Sequence, residues 1–501
     1  MEISNITMRR GSRLLVRGGS LSIREGEITL LLGGSGSGKS TLLYGLADLD
    51  PAVSMSCDQG TQPLENFSIG LVPQNSAPFE ELRTCKRNVS FAHAHCLSRS
   101  RNFEDVWGDL STALGLGEDW KFPLSGGQSQ RTAIARALAS GAKILLCDEP
   151  TSGLDPAGKE KVIQLFQAVA DEGVAVLIVS HDTEWKRPGV ADKTYVLDDC
   201  YVRAVGEGDE TSKNRLEENR KLSASIEGEL PRMFRPFRSV GRSCWWFLML
   251  PVALWNSLFS SKRIRLWWFL QFTWGFILRL LGPSSWIYLS ISGYLLGFAV
   301  FFFSVSSLRV APHLETLLVP ELVSGSGFGL YRVIIPLVAC LLVAAKSGSA
   351  LAAEYGNRQY GKQIDVFRSI GAPPEGYLLL PAVLALGVGL PVLFLISFLS
   401  ASLGSLTAFI VSYPMQSLFA WREDFFRLLT ESDSGWWIGT GWNLAKTSLA
   451  GVGIAVVSYR FGTLPKKDSG EIGMHISSAT LWSSLWSLCV FAIVAIFEFI
   501  I

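Results

Sequence analysis

Five apolar runs in the second half of the chain limit its fold more than any other feature: Ser285–Ser307, Tyr331–Ala353, Tyr377–Phe409, Gly441–Ser458 and Ala479–Ile501. Each is long enough for an α-helix to cross a bilayer, which takes roughly 17–25 residues. With no water in the hydrocarbon to satisfy backbone groups, such runs are predicted to be helices. Hydrophobic residues make up 48% of the 501-residue chain, and mean hydropathy is +0.29. A shorter stretch, Trp267–Leu281, contains Arg279 and reads as the continuation of an interfacial helix rather than a sixth span. Just before it, Phe234–Ser261 mixes Arg235, Arg238 and Arg242 with Trp245, Trp246, Phe247 and Trp255. Cations beside aromatic rings suit a helix lying at the membrane surface.

The first 210 residues follow a different grammar. Short apolar runs at Ile28–Leu32, Ile69–Val72, Lys143–Cys147 and Val174–Val179 alternate with polar stretches able to form helices. That is the pattern of an α/β domain with a mainly parallel sheet. The formal net charge is +1, so nothing points to a nucleic-acid partner. Of eight cysteines, none forms a CxxC pair, which suits a thiol-reducing compartment. The tract His93-x-His95-Cys96 is read as a loop with solvated histidines, because no second ligand cluster accompanies it. The N-terminus has no apolar segment of signal-peptide type. The expected organisation is an α/β domain over 1–206, a linker over 207–231, interfacial amphipathic helices over 232–282, and a helical membrane domain over 283–501.

The chemistry begins at Gly33-Gly34-Ser35-Gly36-Ser37-Gly38-Lys39-Ser40, followed by Thr41. It fits G-x-x-x-x-G-K-[ST] between a strand and a helix, the context that a phosphate-binding loop requires. Glycines let backbone N–H groups converge on phosphates, and the helix N-terminus adds positive potential. Lys39 is expected on the β- and γ-phosphates of ATP and Ser40 on Mg²⁺. A second apolar strand ends in Asp148-Glu149. Successive strand side chains face opposite ways, so the two carboxylates take different roles. Asp148 is the expected Mg²⁺ partner and Glu149 the residue that polarises the attacking water.

The pentapeptide Leu124-Ser125-Gly126-Gly127-Gln128 matches the signature of ABC ATPases, and the first 210 residues resemble that family throughout. The resemblance implies a P-loop fold with a RecA-like core and a helical subdomain. It implies that Ser125, Gly126, Gly127 and Gln128 act in trans on the nucleotide of a second copy. It further implies that Gln74 is the Q-loop residue touching Mg²⁺, that Ser152-Gly153-Leu154-Asp155 is the D-loop, and that His181 is the switch histidine at the γ-phosphate. One departure concerns adenine. The family usually stacks an aromatic ring on it, yet no Tyr, Phe or Trp precedes Tyr44. The matching place falls near Arg10, whose guanidinium can also stack on a flat ring.

In the second half, Ala345-Lys346-Ser347-Gly348-Ser349-Ala350 leads into Ala352-Ala353-Glu354, followed by Gln363-Ile364-Asp365, Gly371-Ala372-Pro373 and Gly462-Thr463-Leu464-Pro465. This wording resembles that of the permeases of the Mla (maintenance of lipid asymmetry) family. Lys346 stands where Arg is usual, and Lys362 where Glu is usual. The resemblance implies an interfacial helix followed by about five spans. Glu354–Gly371, with Glu354, Gln363 and Asp365, reads as a coupling helix that carries motion between ATPase and spans. Lys346 is an intramembrane charge, and Glu354, about two turns later, is its expected partner. Lys446 and Arg332, near the ends of other runs, are read as snorkelling to the interface.

Charges set the expected topology. Arg358, Lys362 and Arg368 follow the second run, and Arg460, Lys466 and Lys467 the fourth, placing both loops on the cytosolic side. Ser412–Trp437, with Glu423, Asp424, Glu431 and Asp433, falls outside, as does the C-terminus. The two resemblances together imply a multi-pass protein of a bacterial inner membrane, working as two copies with ATP and Mg²⁺ and moving phospholipid or a related lipid. The resemblance to the Mla permeases further implies a separate periplasmic MCE-domain protein as partner. Two alternatives are an exporter of another hydrophobic substrate with the G-subfamily layout, and a mechanotransmitting ATPase that translocates nothing.

Overall fold

A computed structural model of the chain describes residues 2–205 and 264–500, apart from 11–12, 35, 50–52, 59, 61–63, 65–66, 75–76, 97–100, 119, 153, 182, 199, 309–314, 431–436 and 467–468. The linker at 207–231 and the interfacial segment at 232–263 lie outside the described residues. Two units emerge: residues 1–264 with 361–373, and residues 265–360 with 374–501.

The first unit is built on a seven-stranded sheet. Its strand order is Gly18–Gly19, Tyr201–Ala204, Lys193–Asp198, Ile28–Gly33, Ala175–Val179, Ile144–Asp148 and Ile69–Val72. The last five run parallel; only the pairing of Lys193–Asp198 with Tyr201–Ala204 is antiparallel. Ile144–Asp148 and Ala175–Val179 are buried at every position, because helices cover a parallel sheet on both faces. Their register sets Asp148 beside Val179, so the chemistry-bearing residues gather at the C-terminal edge of the sheet. A smaller antiparallel sheet of Arg13–Val16, Thr7–Arg10 and Val53–Ser56 flanks it. The histidine tract is no loop: His93 and His95 end the helix Cys85–His95, where the apolar neighbour Phe91 draws His95 into the interior. His95 Nδ1 lies 2.9 Å from the Phe91 carbonyl oxygen.

The second unit is helical. Among the described residues, four stretches are long and apolar enough to cross a membrane: Leu266–Ser307, Leu318–Tyr360, Glu375–Ser412 and Gly470–Glu498. The first of these comprises two helices, Leu266–Leu280 and Pro283–Leu308. The expected fourth run forms the helix Thr440–Gly462 but falls outside that set. Asn443, Lys446 and Thr447 lower its hydropathy, and all three are buried. A helix packed inside a bundle can carry polar groups that a lipid-facing one cannot. Pro283–Leu308 and Leu380–Ser412 pack backbone to backbone. A Cβ at Gly297 would collide with the Ala401 carbonyl, and one at Gly404 with the Tyr294 carbonyl. Small residues give membrane helices this close approach. Leu266–Leu280 exposes Trp267, Leu270 and Trp274, and Pro283–Leu308 exposes Ile291 and Leu295, as a hydrocarbon solvent allows.

Candidate functional site

Ile28–Gly33 delivers the chain to a loop whose glycines take backbone conformations closed to other residues: φ is 79° at Gly36 and 102° at Gly38. The helix Lys39–Leu46, which includes Thr41, begins at once, so its N-terminus opens at the loop that carries Gly33, Gly34 and Ser37. Ser35 lies outside the described residues. Lys39 Nζ donates to the carbonyls of Gly33, at 2.9 Å, and Gly34, at 2.8 Å. The ammonium group is thus held across the loop mouth, where a phosphate would take over its bonds.

Ser40 Oγ donates to Asp148 Oδ1 at 2.9 Å. A hydroxyl and a carboxylate in contact form a hard-oxygen pair of the kind Mg²⁺ accepts, so Ser40 and Asp148 fit the expected metal. Burial raises the Asp148 carboxyl above its usual range, and the Ser40 hydrogen bond opposes it. The chain turns sharply after Asp148. Glu149 adopts φ 49°, and its N–H donates to the Val179 carbonyl at 2.8 Å. The turn separates the two carboxylates, and Glu149 Oε1 lies 2.6 Å from His181 Nδ1. Gln74 is exposed just after Ile69–Val72.

The signature residues open the helix Gly126–Ala139. Ser125 Oγ accepts from the Gln128 N–H, and Gln128 Oε1 accepts from the Ser125 N–H. This capping box fixes the helix start and leaves Ser125, Gly126 and Gly127 at an anion-attracting terminus. Asp155 caps the next helix, Pro156–Asp171, by accepting from the Gly158 N–H. Arg10 pairs with Arg13 across a hairpin, and both are exposed.

Replacing Lys39 with Ala is expected to abolish hydrolysis at saturating nucleotide and leave the melting temperature close to wild type. Its hydrogen bonds go only to the loop it guards. Steady-state ATPase and thermal unfolding measure the two effects; undiminished hydrolysis would remove Lys39 from the site.

Sequence reasoning missed Tyr44, one turn beyond Ser40. It is buried beside Asp148, which together with burial pushes its hydroxyl well above the usual range. The i, i+4 spacing from Ser40 was the available signal.

The structure divides the expected coupling residues. Gln363 and Asp365 lie on the short helix Gln363–Ser369, within the first unit. Glu354 lies in the second unit, on the helix Ser349–Tyr360, because the polar stretch breaks at Lys362 with φ 59°. Nor does Glu354 pair with Lys346. It binds Arg279 at 2.7 Å and Arg358 at 2.6 Å. A π-helical turn at Ala344–Gly348 shifts the register between them, and Lys346 Nζ donates to Ser284 and Ser285 at 3.0 Å each. Arg332 and Lys446 do not snorkel. Both bind Glu498, with Arg332 Nε 2.8 Å from Oε1 and Lys446 Nζ on Oε2. The Glu498 side chain is 0% exposed. As an acid inside an otherwise apolar final run, it was a legible sign of a buried partner.

Known proteins bear on both units. Residues 278–497 match a family described as Permease MlaE, and residues 16–152 match the family ABC transporter. The arginine transport ATP-binding protein ArtM of Bacillus subtilis is 33% identical over 211 residues, 40% of this chain and 87% of that protein. The glutamine transport ATP-binding protein GlnQ of Escherichia coli is 34% identical over 195 residues, 36% and 81% of the two chains. The lipoprotein-releasing system ATP-binding protein LolD of Aquifex aeolicus is 35% identical over 189 residues, 35% and 84%.

Proposed function

Since this chain belongs to the ABC transporter family, joining an ATP-hydrolysing domain to an MlaE-type permease, we propose that it moves phospholipid or a closely related lipid. One observation carries this reading: the ATPase motifs from the phosphate loop to His181 share a polypeptide with a permease match over 278–497. ABC transporters typically act as dimers. With one phosphate loop and one signature per chain, two copies close around two nucleotides, each pairing its Lys39 loop with the Ser125–Gly127 terminus of the other. Ser40, Asp148 and Gln74 would hold Mg²⁺, which would supply charge neutralisation at the phosphates. Glu149, oriented by His181, takes the proton of the attacking water. Asp155 joins the contact between copies.

The segment carrying Gln363 and Asp365 couples nucleotide state to the spans. Glu354, fixed by Arg279 and Arg358, stiffens the inner end of its helix. The spans lie in a bacterial inner membrane with the ATPase domain in the cytosol and the C-terminus in the periplasm. A periplasmic MCE-domain protein exchanges the lipid. Purified dimer in bilayer discs is expected to hydrolyse ATP faster as the phospholipid fraction rises. Native mass spectrometry of detergent-extracted protein should find bound phospholipid. An ATPase rate indifferent to lipid, with no lipid retained, would contradict the substrate assignment.

A further inference from the structure

Arg136 is buried in the first unit, 1% exposed, and none of its three guanidinium nitrogens finds a hydrogen-bond partner. A buried charge without an acid beside it is costly, and an aromatic ring offsets part of that cost here. The guanidinium sits 4.3 Å over the Phe79 ring, a cation–π arrangement that strengthens when water is excluded. Burial lowers its pKa to about 9, which still leaves it cationic at neutral pH. Phe79 in turn stacks on Phe367 at 4.1 Å, with 27° between the planes. Phe91 closes the side of the column edge-on, 5.8 Å from Phe79 and 5.9 Å from Phe367. Asn88 fixes Phe79 by accepting from its N–H at 2.8 Å and donating to its carbonyl at 3.2 Å.

The three members of the column come from three functional segments. Arg136 lies on the helix that starts at the signature, Gly126–Ala139. Phe79 follows Gln74. Phe367 belongs to the inserted segment 361–373, which also places Lys362 Nζ 4.6 Å over the Tyr44 ring. Tyr44 sits on the helix that starts at Lys39 and lies beside Asp148. One short insertion therefore touches the helix that starts at Lys39 directly and reaches the signature helix through Phe79. In a dimer where the signature of one copy meets the phosphate loop of the other, those two helices serve different ATP molecules.

We propose that Arg136 is a positioning residue: through Phe79 and Phe367 it ties the pose of the signature helix to the seating of segment 361–373, making that segment a node between the two ATP sites. The proposal rests on the coupling role given above to this segment. It needs no assumption about what is transported.

The test is a double-mutant cycle on the full-length dimer in bilayer discs, with Arg136→Met, Phe367→Leu and both together. Phe367→Leu keeps apolar volume, so the fold should survive. Its kcat is expected to fall about tenfold, as small misplacements of reacting groups do. The affinity for ATP, read by equilibrium binding without hydrolysis, should stay near wild type, because the Lys39 loop is untouched. The Hill coefficient for ATP should drop toward one. Arg136→Met should act alike, the double variant should be little worse than either, and Phe367→Trp should restore cooperativity. Multiplicative losses in the double variant, or an unchanged kcat and Hill coefficient in folded Phe367→Leu, would overturn the proposal. A wild type that hydrolyses ATP cooperatively yet moves no lipid would instead sink the substrate reading and leave this one standing.

Discussion

Glu149→Gln should bind ATP, close around it and stay closed. The side chain keeps its length and its contact with His181, 2.6 Å away in the native protein, but an amide cannot accept the proton of an attacking water. Loss of a positioned general base lowers rates by about 10²–10⁴-fold, and kcat is expected to fall by that much. Binding should not suffer. Lys39, Ser40 and Asp148 are unaltered, and one negative charge near the phosphates has gone; that same charge raises the Asp148 carboxyl in the native site. Tight ATP binding with an arrested dimer, seen by gel filtration of the discs and by nucleotide retention, checks the arrest. A normal rate of hydrolysis would take the base role away from Glu149.

The second large effect concerns stability rather than turnover. Glu498 receives both Arg332 and Lys446 inside the helical unit, with side chains 0%, 11% and 2% exposed. Glu498→Leu would leave two buried cations without the carboxylate they share. Breaking a buried pair from one side costs about 3–5 kcal/mol, a large share of ordinary protein stability. The variant is expected to melt well below wild type in detergent. Replacing all three residues with Leu should recover most of the loss, since apolar packing substitutes for a buried ion cluster at little cost. If Glu498→Leu melts with wild type, the cluster does not hold the final helix to its neighbours. Arg332 lies in a π-helical turn at Leu330–Ile334, a distortion often found at functional positions. The triple variant therefore also separates stability from transport: regained stability without transport assigns the charges a working role.

The sequence was most legible where chemistry dictates local geometry. A phosphate loop needs glycines at left-handed positions, so Gly36 and Gly38 announced their conformation. Asp148 and Glu149 had to diverge at the end of a buried strand, and they do. The parallel sheet followed from apolar runs too short for helices. Legibility failed where register decides. Lys346 and Glu354 share a face on an ideal helix, but the π-turn at Ala344–Gly348 rotates one away from the other. The same limitation hid the break at Lys362, which sends Glu354 and Asp365 to different units. Long-range partners were also out of reach. Periodicity cannot tell that Lys446 meets a carboxylate 52 residues away, or that Phe79 stacks on Phe367. Thr440–Gly462 shows the reverse: its polar residues lowered its hydropathy because they face protein.

The most direct measurement places the purified chain in vesicles containing a phospholipid with a quenchable fluorescent headgroup. ATP and Mg²⁺ go on the side of the ATPase domain, and the leaflet distribution is followed over time. The account predicts ATP-dependent redistribution that stops in Glu149→Gln. Steady ATP hydrolysis by wild type with no redistribution of the lipid would contradict it.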